Sequence, residues 1–234
     1  MNRTITNIIR FIMDECIPPI IRDNKYFMYP FFYYAYRGKN IKQVMDFKKL
    51  IHQFTEQEYN DFYNNLDTIS RNRQTDLSKK SLNYLLNQID KSTVNLLDVG
   101  CGNGYLLHQV HNKHPQISLS GMDLKVPANE MNYQFISGKI ESIPVEDHSF
   151  DIVTCTHTLE HIINVKAAVA ELKRITCKQL IIVVPRQRYF YYTLDEHVNF
   201  FHYRESLTSL FGINDYICQR IGGDWIYIAQ MIHK

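Results

Sequence analysis

The sequence predicts an α/β protein in which a seven-stranded, mostly parallel sheet ends in an antiparallel hairpin and follows a helical N-terminal extension. From about Thr93 onward, short β-branched runs alternate with helical patterns, which is typical of βαβ units around a parallel sheet. The last two strand candidates are joined by Gly222-Gly223-Asp224, a link that suits a hairpin and is too short for a helical crossover. We therefore expect an α/β domain over residues 86–234 and a helical extension or cap over residues 1–85.

The predicted strands are short apolar runs separated by helical or turn-forming segments. They are Val94–Val99, Ile117–Met122, Tyr133–Ser137, Phe150–Thr156, Gln179–Val184, Tyr216–Arg220 and Trp225–Met231. Between the fourth and fifth runs, apolar residues from Val165 to Ile175 recur at spacings of three and four. This spacing predicts a helix that covers one face of the sheet.

The N-terminal third has a helical pattern without the alternation seen later. Apolar side chains at Ile5, Ile8, Ile9 and Ile12 would share one helix face, and a Pro18-Pro19 break follows. An aromatic-rich stretch, Lys25–Tyr34, comes next. Its rings could pack a helical cap onto the sheet, cap a substrate pocket or touch a lipid-linked acceptor.

Composition narrows the class of protein. Apolar residues make up 45% of the 234 residues and charged residues 21%, which disfavours extensive disorder, and a formal charge of +2 gives no reason to expect a nucleic-acid partner. The longest strongly apolar run, Leu180–Val184, is far shorter than the roughly 20 residues of a membrane-spanning helix. We therefore expect no integral membrane insertion. We find no signal-peptide pattern. The five cysteines show no Cys-x-x-Cys pair, so we expect reduced thiols in a cytoplasmic protein.

A glycine-rich loop follows the first predicted strand and opens a helix. Its residues, with the aspartate that precedes them, are Asp98, Gly100, Cys101, Gly102, Asn103 and Gly104. Glycines at such a turn let the backbone approach a ligand closely. Tyr105 stands where a dinucleotide fingerprint has its third glycine, which disfavours a pyrophosphate cradle. A second carboxylate, Asp123, lies about 20 residues further on, where nucleotide-binding α/β folds place the acidic ribose ligand.

These residues resemble motif I and the acidic loop of class I S-adenosylmethionine-dependent methyltransferases, and the motif match extends over about Leu96–Val184. The resemblance implies a Rossmann-like fold and S-adenosyl-L-methionine as cofactor. The cofactor-binding residues that it implies are Asp98, Gly100, Cys101, Gly102, Asn103, Gly104, Asp123, Leu124, Lys139, Ile140, Glu141 and Thr156. Many relatives have Gly-Asp where this chain has Gly138-Lys139. Because an ammonium has only donors, Lys139 cannot accept from the adenine amino group, so that role falls to backbone near Ile140 or to another acceptor.

The segment after the fourth strand, Thr156–His161, resembles the Leu-Glu-His segment of the family. His157 is a candidate catalytic residue, and His161 is a candidate substrate contact. The spacing of His157, Glu160 and His161 also fits an inverted zinc-peptidase pattern, but here it follows a strand end. Some quinone O-methyltransferases resemble this segment and use its carboxylate and histidine with a divalent cation, which remains an alternative; we predict no metal site.

The loop after the fifth strand is rich in rings, hydroxyls and histidines. Loops at the carboxyl ends of parallel strands are where ligands bind, so Arg188, Tyr189 and Phe201 are candidate substrate contacts and His197 is the second candidate catalytic residue. A histidine that titrates near neutrality suits a hydroxyl acceptor. Residues 18–23 resemble those of methyltransferases among bacterial surface-polysaccharide enzymes.

The sequence therefore predicts O-methylation of a small molecule or glycan, with a lipid-linked acceptor among the candidates. The alternatives are a non-catalytic S-adenosylmethionine-binding partner protein and an NAD-dependent oxidoreductase. A nucleic-acid methyltransferase is least favoured, since no Asn-Pro-Pro-Tyr type signature follows the fourth strand.

Overall fold

A computed structural model describes residues 3–66, 73–127 and 132–231. The chain divides into two compact units. The helical unit contains residues 1–73 and 187–198, and the sheet unit contains residues 74–186 and 199–234.

Among its described residues, the sheet unit contains seven strands and four α-helices. The strands are β1 (Asn95–Val99), β2 (Ser118–Asp123), β3 (Gln134–Ser137), β4 (Phe150–Thr156), β5 (Thr176–Pro185), β6 (Tyr216–Ile221) and β7 (Asp224–Gln230). Their order across the sheet is β3-β2-β1-β4-β5-β7-β6. Strands β1 to β5 are parallel, whereas β7 runs antiparallel to both β5 and β6. The predicted fold class is thus confirmed, including the C-terminal hairpin.

The two faces of the sheet are covered by different helices. Helices α7 (Lys79–Gln88) and α8 (Tyr105–Lys113) contribute side chains to one hydrophobic core, and α9 (Val165–Ile175) and α10 (Arg204–Phe211) contribute to the other. The run Leu180–Val184 in β5 is completely buried, as expected for a strand covered on both faces.

Helix α7 lies across the domain limit that we expected at residue 85. Its side chains Leu82, Leu85 and Leu86 pack in the core beneath the sheet. In the structure the sheet unit accordingly begins at Gln74.

The helical unit is built from short helices around its own core. These are α1 (Arg3–Phe11), a π-helical turn (Ile12–Cys16), α2 (Pro19–Arg22), α3 (Lys25–Ala35), α4 (Ile41–Met45), α5 (Phe47–Leu50) and α6 (Glu56–Asn65). Met28, Phe32, Phe47 and Ile51 are among the buried side chains. None of the helices in the described ranges has the length and apolar character that crossing a membrane requires.

Residues 187–198 belong to the helical unit although they follow the last parallel strand in sequence. Phe190 is part of that unit's core. The backbone amide of Arg188 donates to Asp14 Oδ2 at 3.1 Å, and that of Tyr191 donates to Asp23 Oδ1 at 2.6 Å. These contacts fix the segment by its backbone, so it is an integral part of the helical unit.

Candidate functional site

The candidate site of the sheet unit lies at the carboxyl ends of β1 and β4. From β1 the chain proceeds outward through β2 and β3, and then returns to place β4 on the other side of β1. Ligands of open α/β sheets bind at such a reversal of strand order. The glycine loop after β1 and the segment after β4 are the two loops that meet there.

The glycine loop can form only with very small side chains at defined positions. Gly100 has φ of +75°, and a Cβ atom built on it would lie 2.2 Å from Thr158 Oγ1, so the two loops touch at this point. Gly102 also has positive φ, at +54°, but a Cβ atom there would meet nothing within 4 Å. The loop therefore packs tightly at Gly100 and is open at Gly102.

Asp123, at the end of β2, is held against the glycine loop. The backbone amide of Gly102 donates to Asp123 Oδ2 at 2.8 Å, and the amide of Leu124 donates to Oδ1 at 2.7 Å. The amides of Gly100 and Cys101 both donate to the carbonyl of Met122. A half-buried carboxylate is thus fixed beside the open part of the loop.

Asp98 is a carboxylate buried in β1 beneath the same loop. The hydroxyl of Thr154, on the neighbouring strand β4, donates to Asp98 Oδ1 at 2.7 Å. Burial raises the pKa of Asp98 to about 7, and the negative charge of Asp123 adds to the increase, while the Thr154 hydrogen bond opposes it. A positively charged ligand group would favour the ionised form.

The segment after β3 combines an exposed cation with a buried apolar side chain. Lys139 is exposed, Ile140 is buried and Glu141 is half-buried. The backbone amide of Gly138 donates to the carbonyl of Asp123 at 3.2 Å, which ties this turn to the end of β2. Lys139, Ile140 and Glu141, which the sequence offers as cofactor-binding residues, follow β3, and β3 pairs with β2.

His157, directly after β4, lies between two buried carboxylates. Its Nδ1 is 3.2 Å from Glu160 Oε1, and its Nε2 is 3.5 Å from Asp224 Oδ1. Glu160 is 1% exposed and Asp224 is 0% exposed. The hydroxyl of Ser81, on α7, lies 2.7 Å from Asp224 Oδ2. Only an imidazolium could donate to both carboxylates at once, because a neutral imidazole has one N–H.

The same histidine shapes the turn that contacts the glycine loop. His157 has φ of +52°, an unusual value for a residue with a side chain, and its amide donates to the carbonyl of Val183 at 2.8 Å. Thr158, the next residue, is the one that touches Gly100. The contacts that fix the imidazole of His157 therefore also fix the position of Thr158 against the glycine loop.

Sequence reasoning missed three partners in this region: Asp224, Ser81 and Thr154. The first two are more than 60 residues from His157 along the chain, and Asp224 was assigned to a turn because of its glycine neighbours. Its burial results from the pairing of β7 with β5, in which Asp224 lies opposite Pro185. No local pattern signals such a contact.

The remaining candidates of the sheet unit differ in exposure. Thr156 ends β4, and His161 ends a short 3₁₀ helix, Leu159–His161; both are half-buried. Leu124 is exposed beyond β2. Phe201 is buried in the hydrophobic core, and its carbonyl accepts a hydrogen bond from Trp225 Nε1 at 3.0 Å. Its ring therefore has a packing role.

His197 is oriented by two polar side chains of the helical unit. Its Nδ1 lies 2.6 Å from Gln187 Oε1 and 3.4 Å from Asp195 Oδ2. Gln187 Nε2 in turn donates to Asp195 Oδ2 at 2.8 Å. Burial alone would raise the pKa of Asp195, but His197 and Arg10 hold it below its ordinary value. An ionised Asp195 favours the proton of His197 on Nδ1, which makes Nε2 the basic nitrogen.

The two other candidates of the helical unit lie nearer its surface. Arg188 is half-buried, and its Nη2 is 3.4 Å from Glu15 Oε2. Tyr189 is exposed, and Lys48 Nζ lies 4.7 Å from the centre of its ring. Both follow β5 in sequence, as expected, and both belong to the helical unit.

Comparisons with known proteins agree with this architecture. Residues 97–184 match a family model described as a methyltransferase domain. A malonyl-[acyl-carrier protein] O-methyltransferase of Bacillus anthracis is 24% identical over 121 residues, covering 46% of this chain and 45% of that protein. A ubiquinone biosynthesis O-methyltransferase of Coxiella burnetii is 32% identical over 91 residues, covering 35% and 38% respectively. The chain thus spans less than half the length of these curated relatives.

A solved structure provides the fold comparison. The crystal structure of a SAM-dependent methyltransferase from Aquifex aeolicus aligns with a TM-score of 0.53 at 17% identity, over 76% of this chain and all of that one. Strand β7 lies between β5 and β6. This strand order differs from that of dinucleotide-binding sheets, in which the sixth strand lies directly beside the fifth. Residues 97–184 are therefore similar to a methyltransferase domain, and the sheet has the fold of a SAM-dependent methyltransferase.

Proposed function

We propose that the protein transfers the methyl group of S-adenosylmethionine to a hydroxyl of a small molecule or glycan. The observation that carries the proposal is the open glycine loop at Gly102, flanked by the carboxylates of Asp98 and Asp123. A ligand can approach this backbone closely because no side chain fills the space that a Cβ atom would take. The two relatives named above, both described as O-methyltransferases, support oxygen as the methylated atom.

The described residues fit the parts of this cofactor. Asp123 would accept from ribose hydroxyls, and buried Asp98 would favour the positively charged amino end of the methionine part. Leu124, Ile140 and the backbone of Lys139 would contact the adenine, with Glu141 as a further acceptor beside it. Cys101, Asn103, Gly104 and Thr156 would complete the walls. The cofactor supplies a methyl group on a cationic sulfur, so the protein's main task is to align the acceptor and exclude water.

We propose His197 as the base that takes the proton of the acceptor hydroxyl. Its contacts with Gln187 and Asp195 support this role, since they orient one ring nitrogen and leave the other as the basic one. We assign His157 a positioning role, because its two ring nitrogens both face carboxylates. His161, Arg188 and Tyr189 are proposed to contact the acceptor. The burial of Phe201 supports an indirect contribution to that surface.

Cofactor binding is the first test of the proposal. Isothermal titration with S-adenosylmethionine and, separately, with NAD should give binding only for the former. Binding of NAD alone would contradict the proposal. Binding of S-adenosylmethionine without turnover on any member of a broad panel of phenols, carboxylic acids and sugars would favour a non-catalytic role.

The base is tested with a matched pair of histidine variants. With the accepted substrate identified by mass spectrometry of the methylated product, His197→Gln should lower kcat by a factor on the order of 100 and leave cofactor affinity unchanged. His52→Gln, at an exposed position of the helical unit, is the control. Undiminished kcat in His197→Gln would remove the base role while leaving methyl transfer itself intact.

A further inference from the structure

Helices α2 and α3 expose an unusual set of apolar and aromatic side chains, which we call the aromatic face. Its members are Ile20, Ile21, Tyr26, Tyr29, Tyr33 and Tyr34. Ile20 is 84% exposed, Tyr26 77% and Tyr34 74%. The ring centroids of Tyr29 and Tyr33 are 6.4 Å apart, and the ring planes are tilted by 32° to each other. A soluble helix ordinarily turns charged side chains to this side.

Helix α3 is apolar on both of its sides. Met28, Phe32 and Ala35 recur at spacings of four and three and are buried in the core of the helical unit. The tyrosines of the aromatic face project from the opposite side, and no charged residue occurs between Lys25 and Arg37. One apolar side is accounted for by the core. The other requires an apolar environment outside this unit.

The exposed apolar side chains are concentrated in this part of the chain. Of the nineteen large hydrophobic side chains that are strongly exposed among the described residues, eleven lie between Ile8 and Tyr34. They include Ile8, Ile9 and Ile12, which the sequence pattern places on one helix face. The side chain of Ile5 lies outside the described residues. Scattered apolar residues are normal on protein surfaces, whereas a concentration of this kind marks an interaction surface.

The exposed charges and tyrosine rings of this region indicate the kind of partner that it fits. Within residues 20–45, all of which the structure describes, the exposed cations are Lys25, Arg37, Lys39 and Lys42, and the single exposed acid is Asp23. Tyrosine rings with a polar tip are typical of the boundary between lipid and water, and flanking cations match anionic headgroups. Helix α3, with 11 residues, is about 16 Å long and too short to span a bilayer. It is suited to lie in the interface.

We propose that the aromatic face binds the surface of a membrane that contains anionic lipid. The tyrosine and isoleucine side chains enter the headgroup region, and the four cations contact lipid phosphates. The proposal goes beyond methyl transfer and does not depend on it, because it rests on the helical unit alone.

Vesicle co-sedimentation of the full chain tests the proposal. The protein is mixed with vesicles of phosphatidylcholine alone or of phosphatidylcholine with phosphatidylglycerol. The expected result is binding to the anionic vesicles that weakens as salt is added. Replacing three tyrosines, Tyr26→Ser, Tyr33→Ser and Tyr34→Ser, should weaken it by at least about tenfold. The control, Tyr203→Ser with Ile217→Ser, removes two exposed side chains of the sheet unit and should bind as the wild type does.

A second variant separates charge from apolar contact. Lys25→Gln, Arg37→Gln and Lys39→Gln together should lower affinity for anionic vesicles by about 100-fold and have little effect on neutral ones. Thermal melting of each variant verifies that it is folded. Three results would overturn the proposal: no binding to either vesicle, equal loss in the triple-tyrosine and control variants, or self-association in solution that the triple-tyrosine variant abolishes. The last would identify a second copy as the occupant.

Discussion

The sheet unit buries charged groups, whereas the helical unit exposes apolar ones. The sheet unit buries three carboxylates, Asp98, Glu160 and Asp224, at the edge of the sheet where the parallel strands end. The helical unit exposes isoleucine side chains on α2 and aromatic rings on α3. A buried charge opposes folding unless something compensates for it, and an exposed apolar cluster stays in unfavourable contact with water unless something covers it. In the sheet unit the compensation is internal, whereas in the helical unit we infer that it comes from a partner.

The largest effect is expected from breaking the internal compensation around His157. Asp224→Leu should lower the free energy of unfolding by about 3–5 kcal/mol, because it leaves the imidazole with one buried carboxylate and removes the contact of Asp224 with the Ser81 hydroxyl. Urea denaturation measures the change. Asp215→Leu, at an exposed position, is the control and should stay within about 0.5 kcal/mol. A wild-type midpoint for Asp224→Leu would show that the network contributes nothing.

A smaller effect is expected from the two glycines that differ in their surroundings. Gly100→Ala should destabilise the protein by about 2–3 kcal/mol, since its Cβ collides with Thr158 in addition to the strain of positive φ. Gly102→Ala adds only the strain, about 1 kcal/mol, yet its Cβ enters the open part of the loop. Calorimetry should therefore show weakened cofactor binding for Gly102→Ala in a folded protein. Normal affinity in that variant would place the cofactor elsewhere.

Asp98→Asn should weaken cofactor binding and yet stabilise the unliganded protein by at least about 1 kcal/mol near pH 8. The folded-state pKa of about 7 is above the ordinary value of 3.8, so between these values the folded protein binds more protons. The contribution of Asp98 to the free energy of unfolding therefore falls as the pH rises from 3.8 to about 7. An asparagine does not titrate, so the variant does not lose this stability. The difference in melting temperature should vanish near pH 3. A constant difference at all pH values would assign it to packing.

The smallest effect on stability is expected at the aromatic face. Tyr34→Ser should change the free energy of unfolding by less than about 0.5 kcal/mol in the absence of vesicles, because its side chain is 74% exposed. Phe32→Ala, on the buried side of the same helix, is the destabilising control. Thermal melts without lipid make this comparison. A large loss in Tyr34→Ser would mean that the ring already has an internal partner, which would weaken the contrast between the two units.

The parallel strands and the glycine loop were predictable because their signals are local. Strand β4 occupies the predicted residues, Phe150–Thr156, and β5 begins at Thr176, three residues before the predicted Gln179. A strand buried on both faces is mostly apolar along its length, and a turn of positive φ favours glycine, so both appear directly in the sequence. For the helix face that contains Ile8, Ile9 and Ile12, no local signal indicates whether the protein or a partner covers it. Periodicity indicates which residues share a side, but it does not identify what covers that side.

By itself, the sequence determined the class of fold, the position of the glycine loop and the candidate carboxylates Asp98 and Asp123. Only the tertiary structure decided which side chains meet. It joined Asp224 of β7 to His157 of the β4 loop, and it placed residues 187–198 with the helical unit. Local elements follow from side-chain periodicity over a few residues, whereas buried polar contacts depend on which strands are adjacent, and adjacency is set by the packing of the whole sheet.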